Sequence, residues 1–292
     1  RDQALLSLAK DYLRAGLLDR AEKMFVRLAE GSRHQVEALE QLCRIYEQER
    51  EWQRAIDASQ KLEVLSGRSL GLQIAHYYCE LAEKAASTKD YSAARAFVKK
   101  AQSGRPRTFR GALTRAHIAT DTGDSKTALK LYQRVMDESN YLITEALPRM
   151  VEIHTNDGTV DQLQQELEAM LDSHPSISKD LAYTAIVNDI GGIAVIDECV
   201  ESYMLNEPTL TEFIDLQQHA VGDETARKDA LAKVRAALSK LASQTPRYQC
   251  RECGFSSQRL LWQCPSCKNW ETQRPHSRVQ FDSLLQRSPA SM

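Results

Sequence analysis

The sequence predicts a mostly helical chain, built from repeated helix pairs, that ends in a small strand-rich module. Two observations predict this division. Apolar and small residues recur at an interval of 34 residues, and four cysteines form two Cys-x-x-Cys pairs near the C-terminus. A chain of 292 residues is long enough for both a stacked array and a second module.

The repeat is clearest at the start of the chain, where Tyr12 and Ala21 are followed 34 residues later by Tyr46 and Ala55. This is the period of the tetratricopeptide repeat, in which a helix, a tight turn and a second helix form one unit. The alanine lets the second helix approach the first, and the tyrosine fills the gap between them. The sequence therefore predicts an all-α tetratricopeptide-repeat superhelical solenoid.

Later units are less regular. Gly16 suits the turn of the first unit, whereas Arg50 takes its place in the second, which departs from the pattern at that point. A third unit follows an insertion near Ser66–Ser69, and a fourth and a weaker fifth unit follow the third. Beyond Pro175 the register fades, but amphipathic helices are still expected at 181–187, 193–204, 210–220 and 226–241, with Gly191-Gly192 at a helix–helix turn.

The paired cysteines predict a metal site. Two residues between cysteines let both thiolates of a tight turn point at one ion, and two such turns supply a closed tetrahedral shell that suits Zn or Fe. A closed shell leaves no position for water or substrate, so a structural role is expected. The competing interpretation is a pair of disulfides. The candidate ligands are Cys250, Cys253, Cys264 and Cys267.

Cysteine usage elsewhere argues against disulfides. Cys43, Cys79 and Cys199 are isolated in apolar, helix-like stretches, where they are expected to be small buried hydrophobic residues. The total is odd, and the helical body needs no covalent staples. These features favour a reducing compartment, the cytoplasm.

The module is expected to have short strands at 247–250, 255–257 and 260–263, with 270–272 following the second cysteine pair. Its aromatic residues are expected to form a small core around the metal, with docking onto the helices as the alternative role of Trp262 or Trp270. The predicted domains are 1–243 for the solenoid, 244–275 for the rubredoxin-like module and 276–292 for a flexible tail. The aromatic set is Tyr248, Phe255, Trp262 and Trp270.

Charge leaves two alternative functions open for the module. The net charge of the chain is −2, but from Arg247 onward seven Lys/Arg face three Asp/Glu, which gives +4 there and −6 for the rest. A basic module with aromatic residues is compatible with nucleic-acid binding. The rest of the chain is acidic, however, and the basic residues are not tightly clustered, so no nucleic-acid partner is expected. Four thiolates around iron are compatible with electron transfer.

The sequence contains no phosphate-binding loop, no Gly-x-Ser-x-Gly and no His-Glu-x-x-His, so no enzymatic activity is expected. It has no run of 18 apolar residues and no signal peptide. Because Arg1 stands within a helical pattern, we expect this chain to be a fragment of a longer protein.

Tetratricopeptide repeats followed by a rubredoxin-like ribbon resemble the lipopolysaccharide assembly protein B (LapB/YciM) family of Gram-negative bacteria. The resemblance covers residues 1 to about 275 and is weaker between Pro175 and Ala242. The matching motifs are Asp11-Tyr12, Asp19-Arg20-Ala21-Glu22, Glu51-Trp52-Gln53, Pro246-Arg247-Tyr248, Cys253-Gly254-Phe255 and Cys264-Pro265-Ser266-Cys267.

The resemblance implies a non-catalytic adaptor at the cytoplasmic face of the inner membrane. Family members have an N-terminal transmembrane helix and further repeats ahead of this start point. They act with the membrane protease FtsH to promote degradation of the deacetylase LpxC, scaffold lipopolysaccharide assembly proteins, and are restrained by a regulator of the YejM/PbgA type. The resemblance also implies that the four clustered cysteines hold one ion, Zn or Fe, that no residue is catalytic, and that an oligomer is possible.

Overall fold

The computed structural model describes residues 1–103, 108–206, 232–240, 242 and 245–276. Helices dominate, and three short strands lie near the C-terminus, so the predicted fold class is confirmed. Contacts divide the chain into two compact units, Arg1–Asp124 and Ser125–Met292. The predicted helix at 210–220 and the predicted tail from 277 onward lie outside the described residues, and the predicted domain limits stay a prediction.

The first unit consists of helices that each pack on the next one along the chain. The predicted close approach of paired helices is confirmed, because Ala21 and Ala55 are fully buried between helices and Ala94 takes the same place in the third pair. Trp52 also packs at the start of its helix, stacked on Tyr77 at 5.8 Å between ring centroids. The helices are α1 Asp2–Arg14, α2 Leu18–Ala29, α3 Gln35–Glu49, α4 Trp52–Ser66, α5 Gly71–Ser87, α6 Tyr91–Ser103 and α7 Phe109–Asp121.

The turn inside each pair has one recurring geometry. A residue with positive φ ends the first helix, and the next N–H donates to the carbonyl five residues back, as from Leu17 to Tyr12 and from Glu51 to Tyr46, both at 2.9 Å. Arg50 adopts this left-handed conformation with φ 56°. The second helix pair of the repeat therefore departs from the pattern in residue type but keeps the backbone conformation of the turn. The turn residues are Gly16, Arg50, Lys89, Gly123 and Gly158.

Arg50→Gly is expected to stabilise the first unit by about 0.5–1 kcal/mol. A Cβ in the left-handed region costs about 1–2 kcal/mol, and the greater freedom of glycine in the unfolded chain offsets part of that relief. The urea midpoint measures the change. Arg50→Ala is the matched control and should leave the strain in place; equal midpoints for the two variants would contradict the argument.

A buried charge cluster lies in the first unit. Arg110 on α7 is 2% exposed, and its guanidinium donates to Glu80 at 2.6 Å and to Glu83 at 2.8 and 3.0 Å, both on α5. His76, one turn before Glu80, is fully buried beside this cluster. Burial disfavours its imidazolium form and Arg110 repels it, so the pKa of His76 falls to about 3.

Acid is expected to destabilise the first unit through His76. In the unfolded chain the imidazole takes up a proton near pH 6.5, whereas in the folded unit it stays neutral down to pH of about 3. Between these values the unfolded state binds more protons, so stability falls as the pH falls, by about 2 kcal/mol at pH 5. Urea midpoints at pH 7 and pH 5 should differ more for the parent chain than for His76→Gln; equal differences would remove His76 as the cause.

The second unit begins with helices and ends with the strands. The predicted turn at Gly191-Gly192 is confirmed between the fourth and fifth of its named helices, with φ 80° at Gly192. Single 3₁₀ turns at Asn140–Leu142 and Pro175–Ile177 precede two of them. The helices are α8 Ser125–Glu138, α9 Ile143–Asn156, α10 Val160–Ser173, α11 Ser178–Asn188, α12 Ala194–Asn206 and a further helical stretch at 232–240.

The strands form one small antiparallel sheet in the order β2-β1-β3, with β1 at Tyr248–Cys250, β2 at Ser256–Ser257 and β3 at Gln273–Pro275. The strand predicted at 260–263 is wrong, because only Gln263 there forms a bridge, to Trp270. The third strand lies later, where Gln273 pairs with Cys250. Among the residues described, no helix is both long enough and apolar enough to cross a membrane.

Candidate metal centre

The two cysteine pairs fold into two turns of the same geometry. In the first, the N–H of Gly254 donates to the Cys250 carbonyl at 2.9 Å; in the second, Lys268 donates to Cys264 at the same distance. Both donors have positive φ, 76° and 61°. Each turn needs a left-handed residue after its second cysteine, because that conformation turns the backbone back and leaves the two sulfurs on one side.

The two turns bring four thiols together. The Sγ atoms of Cys250, Cys253, Cys264 and Cys267 all lie within 4.8 Å of one another. Cys250 and Cys267 are 3.7 Å apart, and Cys253 and Cys264 are 3.5 Å apart. Four sulfurs at about 2.3 Å from one ion form a tetrahedron with edges of about 3.8 Å, whereas a disulfide requires about 2.05 Å. The donor set therefore fits a single tetrahedral ion, and all four cysteines are free thiols.

Hydrogen bonds favour the thiolate at the first cysteine. Burial raises the pKa of Cys250. The hydrogen bonds with the Thr272 hydroxyl at 3.2 Å and with the backbone N–H groups of Cys253 and Glu252 together outweigh burial, and the pKa falls to about 6. These donors would also hold the sulfur in place once it binds a metal ion.

Crowding acts in the opposite direction at the last cysteine. The N–H of Asn269 favours the Cys267 thiolate, but burial and the three neighbouring sulfurs raise its pKa to about 12. Full ionisation of the set is therefore unfavourable unless a cation lies among the sulfurs.

The four aromatic residues of the module differ in burial and in the contacts that they make. Trp270 is 8% exposed, Phe255 is 36% exposed and Trp262 is half-buried. Tyr248, which we expected in the module's core, instead extends to α9, where its hydroxyl donates to the Glu145 carboxylate and lies 3.2 Å from Thr144 Oγ1. Burial and then Glu145 raise the pKa of Tyr248, so its hydroxyl stays a donor.

Two arginines complete the docking of the module within the second unit. Arg247 donates to the Val187 carbonyl at 2.6 Å and to Asn188 Oδ1 at 3.3 Å, and so satisfies the C-terminal end of α11. The Arg274 guanidinium lies 3.9 Å from the ring centroid of Tyr141. Trp262 and Trp270 were the docking candidates predicted from the sequence. These two arginines were not predicted, because no local spacing marks them.

Known proteins resemble both parts of the chain. Residues 248–275 match the family model described as the rubredoxin metal binding domain, Zn_ribbon_LapB. Lipopolysaccharide assembly protein B of Escherichia coli K12 is 28% identical over 274 residues, which is 93% of this chain and 70% of that protein. The protein of the same name from Haemophilus influenzae is 26% identical over 288 residues, 96% of this chain and 72% of that protein.

Solved structures give weaker matches. A thermophilic TPR protein of Thermus thermophilus has 20% identity and a TM-score of 0.29, covering 60% of this chain and 93% of that one. The APC/C hetero-tetramer Cut9-Hcn1 has 14% identity and a TM-score of 0.33, covering 73% of this chain and 42% of that one. The assignment rests on the sequence relatives and not on the solved structures. Over most of its length this chain is a homologue of the lipopolysaccharide assembly protein B proteins, and the family resemblance seen in its sequence is confirmed.

Proposed function

We propose that this chain is a non-catalytic adaptor in lipopolysaccharide assembly, with one structural metal ion in its C-terminal module. The observation that supports this most directly is the closed set of four thiols, within 4.8 Å of one another, in a chain homologous to lipopolysaccharide assembly protein B. Cys250, Cys253, Cys264 and Cys267 are the proposed ligands. A full thiolate shell offers no coordination position for a substrate, so the proposed role of the ion is structural. In that role it supplies folding free energy to the module.

The proposed partners are proteins. Tetratricopeptide arrays bind other proteins through stacked helix pairs. By its relation to the family, the chain would act with FtsH to promote degradation of LpxC, under restraint by a YejM/PbgA-type regulator, at the cytoplasmic face of the inner membrane.

Metal analysis tests the first part of the proposal. Purified chain is expected to contain one ion, with the four clustered thiols protected from alkylation until the ion is removed. A metal content far below one with all four thiols reactive would contradict it. A colourless zinc protein would exclude electron transfer, whereas a visible absorbance that changes reversibly on reduction would support that alternative.

The adaptor role is tested in cells that lack the chain's homologue. The chain fused to a membrane anchor is expected to lower LpxC, measured by immunoblot, and the unanchored chain to lower it less, because the anchor raises local concentration beside a membrane protease. LpxC levels that are unchanged by the anchored chain, or that fall without FtsH, would contradict the proposal. Salt-dependent binding of a labelled duplex would instead favour the nucleic-acid alternative.

A further inference from the structure

A cleft of about 490 Å³ lies between the metal module and helices α9 and α11, entirely within the second unit. Pro148 and Arg149 of α9 and Tyr183 of α11 line one side, and Arg259 and Leu260 of the module line the other. Its volume is in the range of sites that hold a small ligand or a few side chains. The metal centre itself does not account for this cleft.

The cleft is electropositive. Among the residues that the structure describes, three arginines line it, Arg149, Arg247 and Arg259, against one carboxylate, Glu145. Glu145 already accepts the Tyr248 hydrogen bond, and Arg247 already donates to the end of α11. The positive charge that a ligand can use therefore lies mainly on Arg149 and Arg259.

Those two arginines differ in how they are held. The Arg149 guanidinium is half exposed and pairs with Glu152 at 2.9 Å, a surface ion pair that a ligand can replace at small cost. Arg259 is exposed, and it makes no ion pair with any part of the chain that the structure describes. Guanidinium groups bind carboxylates through paired hydrogen bonds, so the two suit acidic side chains.

The rest of the cleft suits a peptide. Pro148, Tyr183 and Leu260 give it apolar walls between the charges. Pro148 lies inside α9 and has no N–H for the Thr144 carbonyl, so a residue lining the cleft keeps an acceptor without its usual helix donor. A peptide N–H could use that acceptor. A nucleic acid carries a phosphate at every nucleotide and would bring one against the Glu145 carboxylate, whereas the carboxylates of a peptide can be spaced to avoid it.

We propose that this cleft binds an acidic segment of a partner protein, in which Asp or Glu alternates with apolar residues. Carboxylates contact Arg149 and Arg259, and an apolar side chain packs between Tyr183 and Leu260. This inference rests on the proposed adaptor function and gives it a specific binding site. Because the module supplies Arg247, Arg259 and Leu260, the site is complete only when the module is docked.

Fluorescence anisotropy with the metal-loaded full chain tests the proposal. The probe is a labelled octapeptide of glutamate and leucine, compared with the same peptide carrying glutamine for glutamate. We expect the glutamine peptide and the Arg259→Glu variant each to weaken binding by about tenfold or more, since a charge-assisted pair is lost in both cases. Arg251→Glu is the matched control, an exposed arginine of the same module outside the cleft, and is expected to change binding less than about twofold.

Several outcomes would overturn the inference. The glutamine peptide could bind as tightly, Arg259→Glu could behave as Arg251→Glu does, or a single-stranded oligonucleotide could bind more tightly at the same arginine. Self-association that Arg259→Glu abolishes, seen by sedimentation, would assign the cleft to a second copy of the chain.

The test separates this inference from the adaptor role. If the chain holds its ion and lowers LpxC, but Arg259→Glu leaves the affinity for the peptide unchanged, the cleft inference is wrong and the adaptor proposal stands. If the peptide binds at Arg259 and LpxC does not respond, the adaptor proposal fails and the cleft stands.

Discussion

Replacing Cys250 and Cys264 together with serine is expected to abolish metal binding and unfold the C-terminal module. The change removes one proposed ligand from each turn. In small metal-dependent folds the ion contributes about 10–16 kcal/mol of apparent binding free energy. The module has strands of only two or three residues, so nothing else in it replaces that contribution.

The docking contacts decide how far the damage spreads. Tyr248 and Arg247 hold the module against α9 and α11, so its unfolding should also weaken those helices. We therefore expect the first thermal transition of the variant to occur at lower temperature, while most of the helical circular dichroism signal persists. Trp262 and Trp270 should become solvent-exposed, with a red shift in fluorescence.

Cys199→Ser is the matched control, because it makes the same chemical change at a buried cysteine in the same unit, outside the cluster. It should retain one ion and lose only about 1 kcal/mol of stability. Elemental analysis measures the metal content of both variants. A double variant that still holds one ion would show that Cys250 and Cys264 are not required for metal binding.

Local signals explain what the sequence predicted well. A helix pair repeats its small residues at a fixed spacing, since Ala21 and Ala55 must allow the same close approach in each unit. Cys-x-x-Cys likewise encodes a turn within five residues, so both halves of the thiol cluster are visible before folding is considered. Neither inference depends on residues far apart in the chain.

The features that were missed depend on distant partners. The run at 260–263 is apolar and suggested a strand, but the third strand is the polar Gln273–Pro275, which pairs with β1 only because the second cysteine turn returns the chain there. Arg247 docks on residues about 60 positions away, and Arg110 is buried only because α5 presents two glutamates. An arginine has the same local signature whether it is solvated or buried.

Arg110→Met is expected to destabilise the first unit by about 3 kcal/mol. Methionine retains much of the apolar volume of the arginine stem, so the main loss is the buried charge that holds Glu80 and Glu83. Those carboxylates are 27% and 45% exposed, so they can partly turn to water, which puts the cost at the lower end of about 3–5 kcal/mol for breaking a buried pair.

Urea unfolding measures the loss against Arg95→Met, an exposed arginine on α6 of the same unit, which should change stability by less than about 0.5 kcal/mol. Adding Glu80→Gln and Glu83→Gln to Arg110→Met should recover part of the stability, because neutral amides lose less than carboxylates when the guanidinium is absent. If Arg110→Met unfolds at the same urea concentration as Arg95→Met, the cluster does not stabilise the unit. If the triple variant is no better than Arg110→Met, the lost stability comes from packing at the arginine stem and not from the stranded carboxylates.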